Sequence, residues 1–123
     1  MNNNLRTIDS WSVAAFNALQ PGRLNIKGPV QIADRESTFG GFECNNNDAA
    51  VTFLQVWFRP VSEVTWGTTP PDMTFQFASS TPREVSFAYP IRRGTGLTVA
   101  AATTETGITA STAGMTGSIL FKE

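Results

Sequence analysis

There is no histidine in this chain, and there is a single cysteine, Cys44. The first absence removes Ser-His-Asp and Cys-His nucleophiles and every histidine-ligated metal site. The second removes an internal disulfide, so nothing in the chain requires an oxidising compartment. Charge is scarce as well. Asp, Glu, Lys and Arg make up 15% of 123 residues, and the net charge is −1, whereas an average soluble domain is about a quarter charged. The adjacent cations Arg92 and Arg93 read as a solvated turn rather than a phosphate-binding face, so nucleic acid is not the expected partner. No apolar run approaches the roughly 20 residues needed to span a bilayer. The start, Met1 to Arg6, lacks the apolar core of a signal peptide. The expectation is a chain made and folded in a cytoplasm, with no membrane partner.

Other chemistry is thin. Glu43, Asp48, Glu63, Asp72, Glu84 and Glu105 are scattered, and their spacing does not say whether any two meet as a glycosidase pair would. Asn45 to Asp48 is rich in oxygen ligands but lacks the spacing of a calcium loop, and reads as an Asx turn. Gly94-Thr95-Gly96 lacks the lysine and following helix of a phosphate loop. Cys44 follows Phe42-Glu43 in a strand-like run and reads as a small buried hydrophobe. Neither an enzyme nor a bound cofactor is expected.

What is present is a β pattern. Apolar residues make up 41% of the chain, enough for one core in one domain. Ile26, Val30 and Ile32 suggest a strand broken at Gly28-Pro29. Phe39 to Cys44 is a second strand with a Gly-Gly bulge candidate. Val51 to Arg59 is the clearest strand. Thr52, Leu54, Val56 and Phe58 form one face, and Val51, Phe53, Gln55, Trp57 and Arg59 the other. Both faces are partly apolar, so the strand is central or one face meets a partner. Pro60 ends it. Met73 to Phe77, Val85 to Tyr89, Leu97 to Thr103 and Ser118 to Lys122 complete the set. About seven to eight short antiparallel strands, with turns at short intervals, predict an all-β fold, a β-sandwich or jelly roll over residues 25–123.

Residues 1–24 stand apart. Asp9 or Ser10 could cap a short helix through Trp11 to Leu19, stopped at Pro21-Gly22. The competing reading is an extended arm that docks on a neighbouring chain through Trp11, Phe16 and Leu19.

The last third carries a resemblance. Val64-Thr65-Trp66-Gly67-Thr68-Thr69-Pro70-Pro71-Asp72 is followed by a β run. Further on stands Gly96-Leu97-Thr98-Val99-Ala100-Ala101-Ala102-Thr103-Thr104-Glu105-Thr106-Gly107, and then a short final strand. This order of turns and strands, over residues 39–122, resembles a group of small structural proteins of tailed bacteriophages. The chain departs from that group at Tyr89-Pro90-Ile91-Arg92-Arg93, where a more apolar run is expected. The resemblance implies a small β-sandwich in a virion, without catalysis.

The functional expectation is therefore a virion structural protein. It would be a capsid decoration or cement protein on the capsid surface, made in the host cytoplasm. It would bind the major capsid protein or another virion protein and self-associate, most simply as a homotrimer. Two alternatives remain. One is a carbohydrate- or receptor-binding module of a phage tail that stacks sugars on Trp57 or Trp66. The other is a tail or neck adaptor of the same fold. Candidate interface residues are Trp11, Phe16, Leu19, Trp57, Trp66, Thr98, Arg92 and Arg93. Thr98 belongs to a small-residue stretch, Thr98 to Thr104, that another chain could approach closely.

Overall fold

The computed structural model describes residues 12–16 and 26–122. Among these residues the protein is all-β apart from one short 3-10 turn, Val61–Glu63. The strands are β1 (Ser12–Phe16), β2 (Val30–Ala33), β3 (Ser37–Asn46), β4 (Thr52–Trp57), β5 (Met73–Phe77), β6 (Pro82–Arg93), β7 (Leu97–Ala102) and β8 (Met115–Lys122). One sheet has the order β1-β8-β3-β6 and the other β2-β7-β4-β5.

That order is a jelly roll. Folding the chain in half at the β4–β5 connection pairs each strand with its mirror image: β4 with β5, β3 with β6, β2 with β7 and β1 with β8, all antiparallel. Rolling this long double ribbon adds the β3–β8 and β4–β7 pairings and closes two facing sheets.

The switches between sheets follow backbone chemistry. Ile26 bridges Met115 in the first sheet, and Val30 already pairs with Val99 in the second. Gly28-Pro29 lies between them, because proline has no N–H to give to a ladder. The expected break there is a crossing from one sheet to the other. The Gly-Gly bulge is also present, since the register of β3 shifts between Phe39 and Gly41 against both neighbours. Gly41 has φ +140, and a Cβ there would run into the carbonyl oxygen of Val85.

The core fills the space between the sheets. Ile26, Phe39, Phe42, Cys44, Leu54, Val56, Phe77, Leu97, Val99, Ala101, Met115 and Ile119 are buried in one cluster. Each large side chain contributes roughly 1.5–3 kcal/mol by leaving water. Between the sheets, the rings of Phe42 and Phe75 meet edge to face at 4.8 Å and those of Phe75 and Phe87 stand 6.2 Å apart, which ties the two sheets together on the β5–β6 side.

The N-terminal expectation is changed at residues 12–16. They form neither a helix nor a detached arm but a strand, paired with β8 from Ser12↔Phe121 to Phe16↔Gly117. The free edge of β8 supplies backbone partners that an isolated short helix lacks. Trp11 and Leu19 lie outside the described residues, and Phe16 is placed by its backbone alone.

Candidate functional site

β4 is central, between β5 and β7. On its second face the chain's own loops cover Gln55 and Trp57, while Phe53 is half-buried and Val51 exposed. Gln55 is fully buried there. Its amide Nε2 donates to the carbonyls of Glu105 at 2.9 Å and Gly107 at 3.2 Å, and its Oε1 accepts from the indole N–H of Trp66 at 2.8 Å. Trp57, in the same row, donates its indole N–H to the Thr69 carbonyl at 2.9 Å. Two loops, around 64–69 and 104–108, are thus pinned over the sheet, and a Cβ on Gly67 would meet the side chain of Ile108 where they touch.

This arrangement buries two of the candidate interface residues, Trp57 and Thr98. Trp57 is fully buried with its polar end occupied, so it offers no face to a sugar or a partner. Thr98 is buried and donates to the Arg59 carbonyl at 2.9 Å. Trp66 is half-buried, with its N–H committed to Gln55. The small-residue stretch does permit close approach, but by this chain's own segments. Ala100 lies opposite Gln55, Ala102 bridges Ala110, and all of Leu97–Ala102 is buried.

The remaining turns are tied down in the same way. Asn46 and Asp48 build successive Asx turns: Asn46 Oδ1 accepts from the Asp48 N–H, and Asp48 Oδ1 from the Ala50 N–H. Asp48 Oδ2 accepts from the Ser111 hydroxyl and the Thr112 N–H, each at 3.0 Å. These donors, led by the Ala50 N–H, hold the Asp48 carboxyl below its usual pKa. The Asn46 side-chain oxygen and both Asp48 carboxylate oxygens are therefore engaged internally. Among the described residues, no three His, Cys, Asp or Glu side chains stand together as a metal group. Cys44 is buried, and desolvation pushes its thiol up to about 12.

Two surfaces stand out among the described residues. On the outer face of the first sheet, a cavity of about 270 Å³ lies beside Glu43, Glu84, Ser86, Ser118 and Leu120. Glu43 and Glu84 stand directly across β3 and β6, a like-charge pairing that costs stability.

The second surface is the free edge of β6. Phe39 pairs with Ile91 and Gly41 with Ser86, so the single residue Gly40 faces four, Phe87 to Pro90. Phe87 turns inward against Phe39. Tyr89 projects outward and is 89% exposed, the most exposed large hydrophobic residue among those described. Arg92 and Arg93 follow it. Arg92 pairs with Glu36 at 3.3 Å and donates to Thr38 Oγ1 at 2.9 Å. Arg93 lies over the Phe58 ring at 5.5 Å and beside Asp72, whose other oxygen caps the Phe58 N–H at 2.8 Å. The arginines are exposed yet have side-chain partners, and they follow a protruding tyrosine that was not among the candidates. Its sequence signal was Pro90, a residue that fits a strand only at an edge or bulge.

No helix among the described residues is long and apolar enough to cross a membrane. No family model, no curated protein and no solved structure matches this chain.

Proposed function

We propose that this chain is a structural protein of a bacteriophage virion, a capsid decoration or cement protein that clamps neighbouring shell subunits without catalysis. It would sit on the capsid surface as a homo-oligomer, most simply a trimer, with the major capsid protein as partner. Binding only to the assembled shell stabilises that shell by mass action. The turn-and-strand order of residues 39–122 supports the phage assignment. Jelly rolls build viral capsids and also lectins, so the fold by itself does not choose between them. The side chains favour the structural role, because Trp57 is buried and the loops are pinned rather than open around a cleft.

The observation that carries the reading is Tyr89, an exposed aromatic side chain at the free edge of β6, followed by two arginines with side-chain partners of their own. Interface energy concentrates in such residues, at 2 kcal/mol or more for a strong anchor by typical truncation data, roughly thirtyfold in affinity. The test is co-sedimentation with capsid shells that lack the protein. The Tyr89→Ala variant should keep its fold and bind at least about tenfold more weakly. Wild-type protein that ignores shells, or a variant that binds them equally well, contradicts the proposal.

A further inference from the structure

We propose that the free edge of β6 takes an extended segment of a partner protein, one in which apolar and polar residues alternate and the residue opposite Glu84 is an arginine or lysine. β6 ends its sheet and pairs on one side only, with β3. A Cβ on Gly41 would run into the Val85 carbonyl oxygen, so the backbone of Val85 points towards β3. Successive residues of an antiparallel strand turn their backbone groups to alternate sides. The N–H and C=O of Glu84 and Ser86 therefore point away from β3, where no described strand meets them. Such a row of donors and acceptors is what an added strand satisfies. Beyond Phe87 the regular ladder ends, at the bulge opposite Gly40 and at Pro90, which has no N–H. The stretch open to pairing is residues 83–87, ahead of Tyr89.

Side-chain chemistry sets which segment fits. Val85 packs against the core between the sheets, so Glu84 and Ser86 stand on the outer face. There the cross-strand row runs Glu84, Glu43, Ser118, with the cavity of about 270 Å³ beside it. The neighbouring Arg83 does not neutralise the two carboxylates. It turns to the other side, where it donates to the Gln76 carbonyl at 2.8 Å and lies over the Phe75 ring at 5.7 Å. Among the described residues neither Glu43 nor Glu84 is in an ion pair. An added strand extends the row by one residue, whose Cβ comes about 4.5–5.5 Å from that of Glu84. A cation at that position relieves the repulsion between the carboxylates, and an arginine or lysine stem is long enough to cross β6 towards the cavity. The residue opposite Val85 faces the side of the half-buried Phe75 and Phe87 and is apolar. Charge complementarity thus favours a basic segment over an acidic one. The contact lies beside Tyr89 and does not depend on the partner being a shell protein.

The test titrates the full nitrogen-15-labelled chain with two end-blocked hexapeptides, followed by nuclear magnetic resonance. One is Val-Thr-Val-Arg-Val-Thr, and the other has Glu in place of Arg. The Arg peptide should bind at least about tenfold more tightly than the Glu peptide, with the largest amide shifts at Glu84 and Ser86. A chain carrying both Glu43→Gln and Glu84→Gln should keep its fold and lose that preference. A second variant, Ser86→Pro, removes an outward N–H without touching the ladder to β3 and should weaken binding of the Arg peptide by a similar factor. Equal binding of the two peptides, the largest shifts elsewhere on the protein, or no binding of either at millimolar concentration overturns the proposal. Shifts at Glu84 and Ser86 that grow with protein concentration alone place a second copy on this edge and overturn it too. None of these results touches the binding of Tyr89→Ala to shells, so the two readings fail separately.

Discussion

The indole N–H of Trp66 donates to the side-chain oxygen of Gln55 at 2.8 Å, and the same amide's nitrogen holds the carbonyls of Glu105 and Gly107. One fully buried side chain thus ties two loops to the outer face of the second sheet. Replacing it with Leu keeps the bulk but strands the indole N–H and the loop carbonyls. A buried polar group left without a partner costs about 1–3 kcal/mol, so Gln55→Leu should lower stability in urea unfolding by about 2–4 kcal/mol. Adding Trp66→Phe to that variant removes one orphaned donor and should recover part of the loss, a non-additive pair. A cost below about 0.5 kcal/mol for Gln55→Leu contradicts the pinning role.

Asp48 should shape the acid limb of stability. Its carboxyl is held below the ordinary value by the Ala50 N–H first, and also by Ser111, Ala113 and Thr112. A depressed folded pKa means that the unfolded chain binds the proton more readily. The contribution is therefore complete above the unfolded value of about 4 and is lost as pH falls through the lower folded value. Denaturation of wild type and Asp48→Asn, followed from pH 7 to 2, should show a shallower acid decline for the variant. Parallel curves contradict the assignment.

Cys44 sets a limit at the other end. Burial raises its thiol from 9.0 to about 12. The folded state keeps the proton that the unfolded state gives up, so this contribution is complete below pH 9 and declines between about 9 and 12. Native protein at pH 8 should react with an aromatic disulfide reagent only at its opening rate, and denatured protein at once. Rapid modification of the native state would show that Cys44 is accessible.

Much of the fold was legible because its signals are local. Met73–Phe77 alternates cleanly, Pro60 stops a strand, and Gly28-Pro29 marks a crossing. β1 was harder to read. Trp11 to Leu19 fits a helical period, and what makes 12–16 a strand is the vacant edge of β8, about a hundred residues away in sequence. The site was less legible than the fold. Trp57 and Thr98 are candidates for an interface by sequence, yet both are buried, Trp57 with its indole N–H on the Thr69 carbonyl and Thr98 with its hydroxyl on the Arg59 carbonyl. Tyr89 reads as the inward end of Val85–Tyr89 until the four-against-one bulge opposite Gly40 turns it outward. Periodicity shows which residues share a face of a strand, but not what later folds over that face.

The most direct test of the structural role is cryo-electron microscopy of intact particles from the cells that produce this protein. The account expects density for the jelly roll on the outside of the shell, in symmetric clusters at subunit junctions, with the Tyr89 edge against a shell protein. Density in the tail or neck would move the protein to an adaptor role. Particles that contain no copy of the chain would contradict the account.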